Sequence, residues 1–201
     1  MIAALILAGG RGTRLAGADK ALIPLAGEPL LTHLLTRLTP QIQTIAISAN
    51  GNLARFAPYN FPILPDSPAH TGKGPLAGIA AGLAWAQSIG ATSLLTIPVD
   101  TPFIPADLAA RLTPAPAVAV WQSRQHHLVA HWPTAFLPAL TDFLSTPSAY
   151  KVRDALTRAA AAQIHFTNAE DPFLNINTPN DLVEAEKRFF FEKKNQKTFA
   201  P

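Results

Sequence analysis

The chain has 201 residues, 48% of them hydrophobic and 14% charged, with a formal net charge of +3. That length and apolar content suit one folded domain and exclude a disordered chain, while the mild charge, with no basic stripe interleaved with aromatics, gives nucleic acid no footprint. Cysteine is absent, which excludes disulfides, a thiolate nucleophile and Cys-ligated zinc or iron–sulfur sites.

The 19 prolines are spread through turns rather than gathered in a linker. The expected organisation is therefore one domain over residues 1–192, followed by a frayed tail over 193–201. Lys187, Arg188, Lys193, Lys194 and Lys197 cluster near this end and read as a solvated helix terminus. No run approaches the roughly 18 apolar residues of a membrane helix, and no basic segment leads into a cleavable apolar stretch at the N-terminus. A cytoplasmic location without a membrane or nucleic-acid partner is expected.

Short apolar runs alternate with helical patterns, the signature of an α/β fold whose sheet is mainly parallel and joined by crossover helices. Residues 2–7 predict the first strand, which empties into Ala8-Gly9-Gly10-Arg11-Gly12-Thr13-Arg14, with Asp19-Lys20 following. After Pro29, the residues Leu30, Leu31, Leu34, Leu35 and Leu38 form an apolar stripe at helical spacing. Thr44 to Ser48 predicts a second strand ending at Asn50-Gly51, and Phe61 to Leu64 a third, stopped by Pro65-Asp66. A loop from His70 to Pro75 leads into a helix from Leu76 to about Ser88. Ser93 to Ile97 is a buried strand, broken by Pro98 and followed by Val99-Asp100-Thr101-Pro102, with a helix from Ala106 to Leu112 beyond. The second half predicts strands at Ala117–Trp121, at His127–Trp132 and near 163–166, helices at 134–145 and 151–161, and a last helix from Pro179 to about Glu192.

A short buried strand ending in paired glycines brings backbone N–H groups up to a phosphate chain, and Gly9-Gly10 puts no Cβ in the way. Arg14 and Lys20 add mobile positive charge beyond that loop, and Arg11 is a third candidate. The implied ligand is a nucleoside triphosphate, whose charge and transition state these cations would neutralise. Asp19 orients Lys20 or caps the loop. Ligands of open α/β sheets lie beyond the carboxyl ends of the strands, and the glycine loop, Asn50, Asp66 and Asp100 all fall there. Asp100, held between Pro98 and Pro102, is the metal candidate, because Mg²⁺ takes one or two carboxylates together with phosphate oxygens and waters. Its competing role is a cap for the helix that follows.

Gly74-Pro75-Leu76-Ala77-Gly78 opens a helix with small residues; Gly78 and Gly82 would let one face approach the sheet, and the loop could hold base or ribose. His127 and His131 stand four apart, a helical metal spacing, but on a predicted strand that spacing chelates poorly. His127 is read as lining an acceptor pocket instead, and zinc on His126, His127 and His131 is a distant alternative. Thr178 is a plausible N-cap with Pro179 the first helical residue and Asp181 complementing the helix dipole. Those roles leave Asn175 and Asn177 unexplained and available for substrate.

Leu7-Ala8-Gly9-Gly10 with Thr13-Arg14, Asp19-Lys20 and Gly27-Glu28-Pro29-Leu30 resembles the nucleotidyltransferases that activate small phosphorylated molecules with an NTP. Gly74-Pro75-Leu76-Ala77-Gly78, Pro98-Val99-Asp100-Thr101-Pro102-Phe103 and Asn175-Ile176-Asn177-Thr178-Pro179 narrow the resemblance to the molybdenum cofactor guanylyltransferases, across about residues 3 to 183. The chain departs from that family's pattern at Arg14-Leu15-Ala16-Gly17-Ala18, where Arg-Met-Gly is frequent, and at His127-Leu128, where His-Pro is frequent. The resemblance implies a single-domain, Rossmann-like three-layer sandwich of the nucleotide-diphospho-sugar transferase type, with helices on both faces of the sheet. It implies that Leu7, Ala8, Gly9, Gly10, Lys20, Asn50, Asp66 and Asp100 bind GTP, with Ser48 an alternative to Asn50. It further implies that Asp100 binds Mg²⁺, that Asn175 and Asn177 lie on the acceptor side, and that Arg14, Lys20 and Asp100 carry the catalysis. The substrates would be GTP and molybdenum-loaded molybdopterin, a labile acceptor for which a delivery protein is an expected partner. A cytidylyltransferase with the same chemistry and a non-catalytic GTP-binding subunit are the rival readings.

Overall fold

The computed structural model describes residues 1–9, 11–12, 18–146 and 150–198. Seven strands, β1 (Ile2–Leu7), β2 (Ile45–Ser48), β3 (Ile63–Leu64), β4 (Ser93–Pro98), β5 (Ala117–Trp121), β6 (Arg124–Pro133) and β7 (Ala162–Phe166), form one sheet in the order β7-β5-β6-β4-β1-β2-β3. Strand β6 is antiparallel to both of its neighbours, and every other pairing in this sheet is parallel. Two short antiparallel ribbons, Arg11–Gly12 with Ala18–Asp19 and Pro24–Leu25 with Glu28–Pro29, stand outside it.

Helices cover both faces. Along β1, Ala4 and Ile6 pack with α1 (Leu30–Leu38) and with residues of α3 (Leu108–Arg111), while Ala3 and Leu5 pack with α2 (Pro75–Ser88), α4 (Leu137–Ser145) and α5 (Val152–Arg158). A strand covered on both sides has no polar face, so β1 reads as an unbroken apolar run and its interior residues are buried. The leucines of α1 are buried as their spacing predicts. Helix α6 (Pro179–Thr198) packs beside Ile23, Leu25, Leu30 and Phe103 through Leu182, Ala185 and Phe189. Among the described residues, no helix is long and apolar enough to cross a membrane.

Several boundaries differ from the sequence reading. The helix expected from Ala106 is the single turn Leu108–Arg111. Residues 134–145 divide into a 3₁₀ turn, Thr134–Phe136, and α4. Helix α5 ends at Arg158 because Ala160 takes a left-handed φ of +55°, and the Ala161 N–H donates back to the Leu156 carbonyl at 3.0 Å. Helix α6 continues past Glu192 to Thr198.

Strands β2 and β4 flank β1 on opposite sides. The chain runs outward from β1 through β2 to β3 and then crosses back to β4, which makes the carboxyl ends of β1 and β4 the switch point of the sheet, where ligands of such folds bind.

Candidate active site

A cleft of about 460 Å³ opens over the carboxyl ends of β1, β2 and β4, within the range of about 300–1,000 Å³ common for small-molecule sites. Leu7, Gly9, Lys20, Asn50, Asp66, Asp100 and Asn175 all line it. Ala8 does not: it is buried, and its N–H donates to the Ser48 carbonyl at 2.9 Å. Gly10 and Arg14 lie outside the described residues, and Arg11 is described only as part of a backbone ribbon.

Helix α2 forms one wall. Gly74 precedes it with φ +63° and ψ −152°, a conformation only glycine adopts readily. One turn into the helix, a Cβ at Gly78 would stand 2.4 Å from Ser48 Oγ, so the missing side chain lets α2 lie directly on the end of β2. Gly82 permits the same closeness one turn on, where a Cβ would meet Leu5 Cδ2 at 2.5 Å.

Asp19 caps the 3₁₀ turn Lys20–Leu22, its Oδ1 accepting from the Ala21 N–H at 3.1 Å. Its second oxygen pairs with Arg55, whose guanidinium also donates to the carbonyls of Asn50, at 3.2 Å, and Asn52, and sits 4.4 Å from the centroid of the Phe56 ring. Arg55 thereby ties the segment presenting Lys20 to the loop presenting Asn50. No motif announces this residue; only the meeting of two distant loops does. Asn50 Oδ1 accepts from the Asp66 N–H at 2.9 Å, which fixes the two loops after β2 and β3 to each other.

Asp100 is the hub of the opposite wall. Its Oδ2 lies 2.7 Å from Lys20 Nζ, its Oδ1 accepts from Asn175 Nδ2 at 3.2 Å, and its carbonyl accepts from the Ile176 N–H at 2.9 Å. Lys20 Nζ also donates to Asn177 Oδ1. Asn177 is therefore a positioner of Lys20, and only Asn175 of the pair lines the cleft. The turn before α6 holds this segment: Asp181 Oδ2 accepts from the N–H groups of Asn177 and Thr178 at 2.8 Å each, and the Asp181 N–H donates to Thr178 Oγ1 at 3.2 Å. Burial pushes the Asp181 carboxyl upward, but these hydrogen bonds and the nearby Lys20 charge outweigh it and hold the group below its ordinary range.

The histidines separate in the fold. His131 is buried, with Nδ1 2.9 Å from the Leu112 carbonyl and Nε2 2.8 Å from Ser93 Oγ, and burial lowers its pKa. A carbonyl only accepts, so Nδ1 carries the proton and the neutral ring bridges β4 to the end of α3. His126 packs against Phe173 with centroids 4.9 Å apart, and desolvation lowers its pKa despite the nearby Asp171. His127 turns to Gln125 Oε1 at 3.1 Å.

The sequence profile described as "MobA-like NTP transferase domain" matches residues 4–164. The chain belongs to the MobA-like NTP transferase family. A molybdenum cofactor guanylyltransferase of Acidiphilium cryptum is 50% identical to this transferase over 91% of this chain and 93% of its own length. Another, from Rhodobacter capsulatus, is 46% identical over 93% and 96% of the two chains. Among solved structures, the molybdopterin-guanine dinucleotide biosynthesis protein A of Archaeoglobus fulgidus superposes with a TM-score of 0.72 at 22% identity, covering 94% of this chain and 99% of that one, which shows the shared fold. In this MobA-like transferase, no cluster of three or more His, Cys, Asp or Glu among the described residues could hold a metal. Among the described residues that line the cleft, Asp66 and Asp100 are the carboxylates, and Asp100 at the end of β4 could hold a cation whose remaining ligands came from substrate and solvent. That donor set fits Mg²⁺ with a triphosphate, because each carboxylate oxygen offers about two acceptor sites.

Proposed function

We propose that this transferase joins GMP from GTP to the terminal phosphate of molybdopterin, in its molybdenum-loaded form, and releases pyrophosphate. The observation that carries the reading is the convergence of Gly9, Lys20, Asn50, Asp66 and Asp100 on one cleft at the switch point of the sheet, in a chain half identical to a protein named molybdenum cofactor guanylyltransferase.

The chemistry follows from charge. A phosphate monoester with a second pKa of about 6 is already dianionic near neutral pH, so its oxygen can attack the α-phosphorus of GTP without a general base. The new P–O bond forms as the bond to the bridging oxygen breaks, and pyrophosphate leaves with that electron pair. What the protein must do is bring two polyanions together in line. Gly9 admits the phosphates to the backbone, Lys20 neutralises charge that develops on the transferring group, and Arg14 is assigned the same task. Asp100 would hold a divalent cation, Mg²⁺ by expectation, which would offset phosphate charge and stabilise the departing pyrophosphate. Asn175 faces the incoming acceptor from the opposite wall, and Asn177 sets Lys20.

The decisive experiment is pyrophosphate release with Mg²⁺ and molybdopterin, running GTP and CTP side by side. Release with GTP alone, and only with the pterin present, is expected. Release with CTP instead would move the chain to cytidylyl transfer, and silence with both would leave a nucleotide-binding subunit.

A further inference from the structure

Among the basic residues near the C-terminus, which read from sequence as a solvated helix end, Arg188 stands apart. Lys187 is exposed, but the Arg188 side chain is only 13% exposed and lies against the domain. Its Nε is 3.1 Å from Glu170 Oε2, and its Nη1 donates to the Asp171 carbonyl at 2.5 Å. The guanidinium carbon sits 4.3 Å from the centroid of the Phe103 ring. Glu170 is largely exposed, and an ion pair with a carboxylate so close to water adds little. The carbonyl and the ring are the contacts that fix geometry, because a guanidinium offers a planar donor fork and a flat face that stacks on aromatic rings.

Both contacts lead to the cleft. Phe103 stands three residues after Asp100, and Asp171 four residues before Asn175. Those two segments meet where Asn175 Nδ2 donates to Asp100 Oδ1 at 3.2 Å and the Ile176 N–H donates to the Asp100 carbonyl at 2.9 Å. Phe103 and Ile176 are buried in one small core with Ala185 of α6, against which Leu182 also packs. Helix α6 therefore holds the two segments together from outside, by apolar packing in its first turns and by Arg188 about one turn beyond Ala185. The Asp171 end is firm: Asp171 Oδ1 accepts from the Phe173 N–H at 2.8 Å, and the Phe173 ring is fully buried. An anchor on the Asp171 carbonyl is thus carried into the core rather than lost in a loose loop.

We propose that Arg188 is a positioning residue for the transfer reaction, holding residues 171–177 so that Asn175 meets Asp100 and Asn177 meets Lys20. The assignment rests on the guanylyl-transfer reading above. Arg188 is not among the residues that line the cleft, so it acts only through the groups it places. The segment it holds supplies Asn175 to the cleft wall and Asn177 to Lys20. Loosening that segment disturbs the reacting geometry, where a displacement of about 1 Å costs about 100-fold. It leaves in place the part of the cleft formed by Asn50, Asp66, Gly74 and Gly78. The loss of Arg188 should therefore fall on kcat more than on the GTP KM.

The test compares wild type, Arg188→Ala and Arg188→Lys by pyrophosphate release, thermal unfolding and amide hydrogen exchange at Ile176. In Arg188→Ala, kcat falls about tenfold or more, the GTP KM stays within about threefold of wild type, and the Ile176 amide exchanges faster. Arg188→Lys keeps the charge and the stem but not the fork; it shows the same split with a smaller loss of thermal stability, so a poorly folded alanine variant does not obstruct the test. Millimolar guanidinium ion restores part of the kcat lost in Arg188→Ala, and sodium chloride at equal ionic strength does not. In an Asn175→Ala background, Arg188→Ala costs less than it does alone, because part of what it places is gone. Unchanged kcat and unchanged Ile176 exchange in both variants, even with a lowered melting temperature, overturn the assignment and leave guanylyl transfer intact. A wild type silent with GTP and acceptor overturns the transfer reading, and Ile176 exchange then decides separately whether Arg188 holds the segment.

Discussion

Lys20 Nζ lies 2.7 Å from Asp100 Oδ2, although the two residues are 80 positions apart. The side chains are 16% and 11% exposed, and for a pair so far withdrawn from water the desolvation of both charges offsets much of their attraction. Its meaning is chemical. The cation assigned to phosphate and the carboxylate assigned to metal neutralise each other, so a triphosphate and its cation would arrive by exchanging partners with an existing pair.

Asp100 is the first test of that arrangement. Asp100→Asn keeps the side-chain shape and an acceptor for Asn175, but removes the charge that both Lys20 and a divalent cation need. We expect turnover to fall about 100-fold or more, with a melting temperature within a few degrees of wild type. Pyrophosphate release and thermal unfolding measured together would check it, and turnover near wild type would remove Asp100 from the mechanism.

Gly78 predicts a steric effect with a specific remedy. A methyl group there would meet Ser48 Oγ at 2.4 Å and Ser48 Cβ at 3.3 Å, so Gly78→Ala should cost about 1–3 kcal/mol and distort the cleft wall. Adding Ser48→Ala removes the closest atom and leaves a contact that small shifts can accommodate. Chemical denaturation of the two single variants and the double variant would read the recovery. Equal stability of Gly78→Ala and wild type would contradict the close approach.

Arg55 is not among the residues that line the cleft, yet it joins Asp19 to Asn50. Arg55→Gln should raise the GTP KM several-fold while leaving kcat at saturation closer to wild type. Because the Asp19 interaction is direct, a double-mutant cycle with Asp19→Asn should show a coupling of about 0.5–3 kcal/mol. Additive effects on KM would mean that Arg55 serves the loop after β2 alone.

His131 makes stability depend on pH in a defined direction. Burial lowers its pKa from the ordinary 6.5, so below that value the unfolded chain binds a proton that the folded chain refuses. Its contribution to stability should be constant above about pH 6.5 and fall with acidity down to the folded pKa, with a limiting slope near 1.4 kcal/mol per pH unit. His126 and His127, lowered chiefly by burial, act in the same sense. Denaturation midpoints of wild type and His131→Gln between pH 5 and 8 should show a shallower slope in the variant. Parallel slopes would mean that the ring is protonated in the fold.

Much of this molecule can be read from order along the chain. Apolar runs such as Ile2 to Leu7 become strands because burial on both faces leaves no room for a polar alternation, and the α1 leucines recur at the period of the helix they form. Gly9, Asn50, Asp66 and Asp100 could be placed together in advance because parallel strands deliver their carboxyl ends to one edge. The cap at Thr178 and Asp181 is a local hydrogen-bond pattern, visible within four residues. What order alone does not determine is which distant side chains meet. Asn177 resembles Asn175 in sequence, but a hydrogen bond to Lys20 makes it a positioner rather than a wall of the cleft. Arg55 lies in an unremarkable stretch and becomes important only where two loops converge. Strand β6 slips its register against β5 between His126 and Ala130, and there the Leu128 carbonyl meets the Thr96 hydroxyl of β4. Local propensity and hydrophobic period are properties of neighbouring residues, whereas these contacts exist only after the sheet has brought remote segments within a few ångströms.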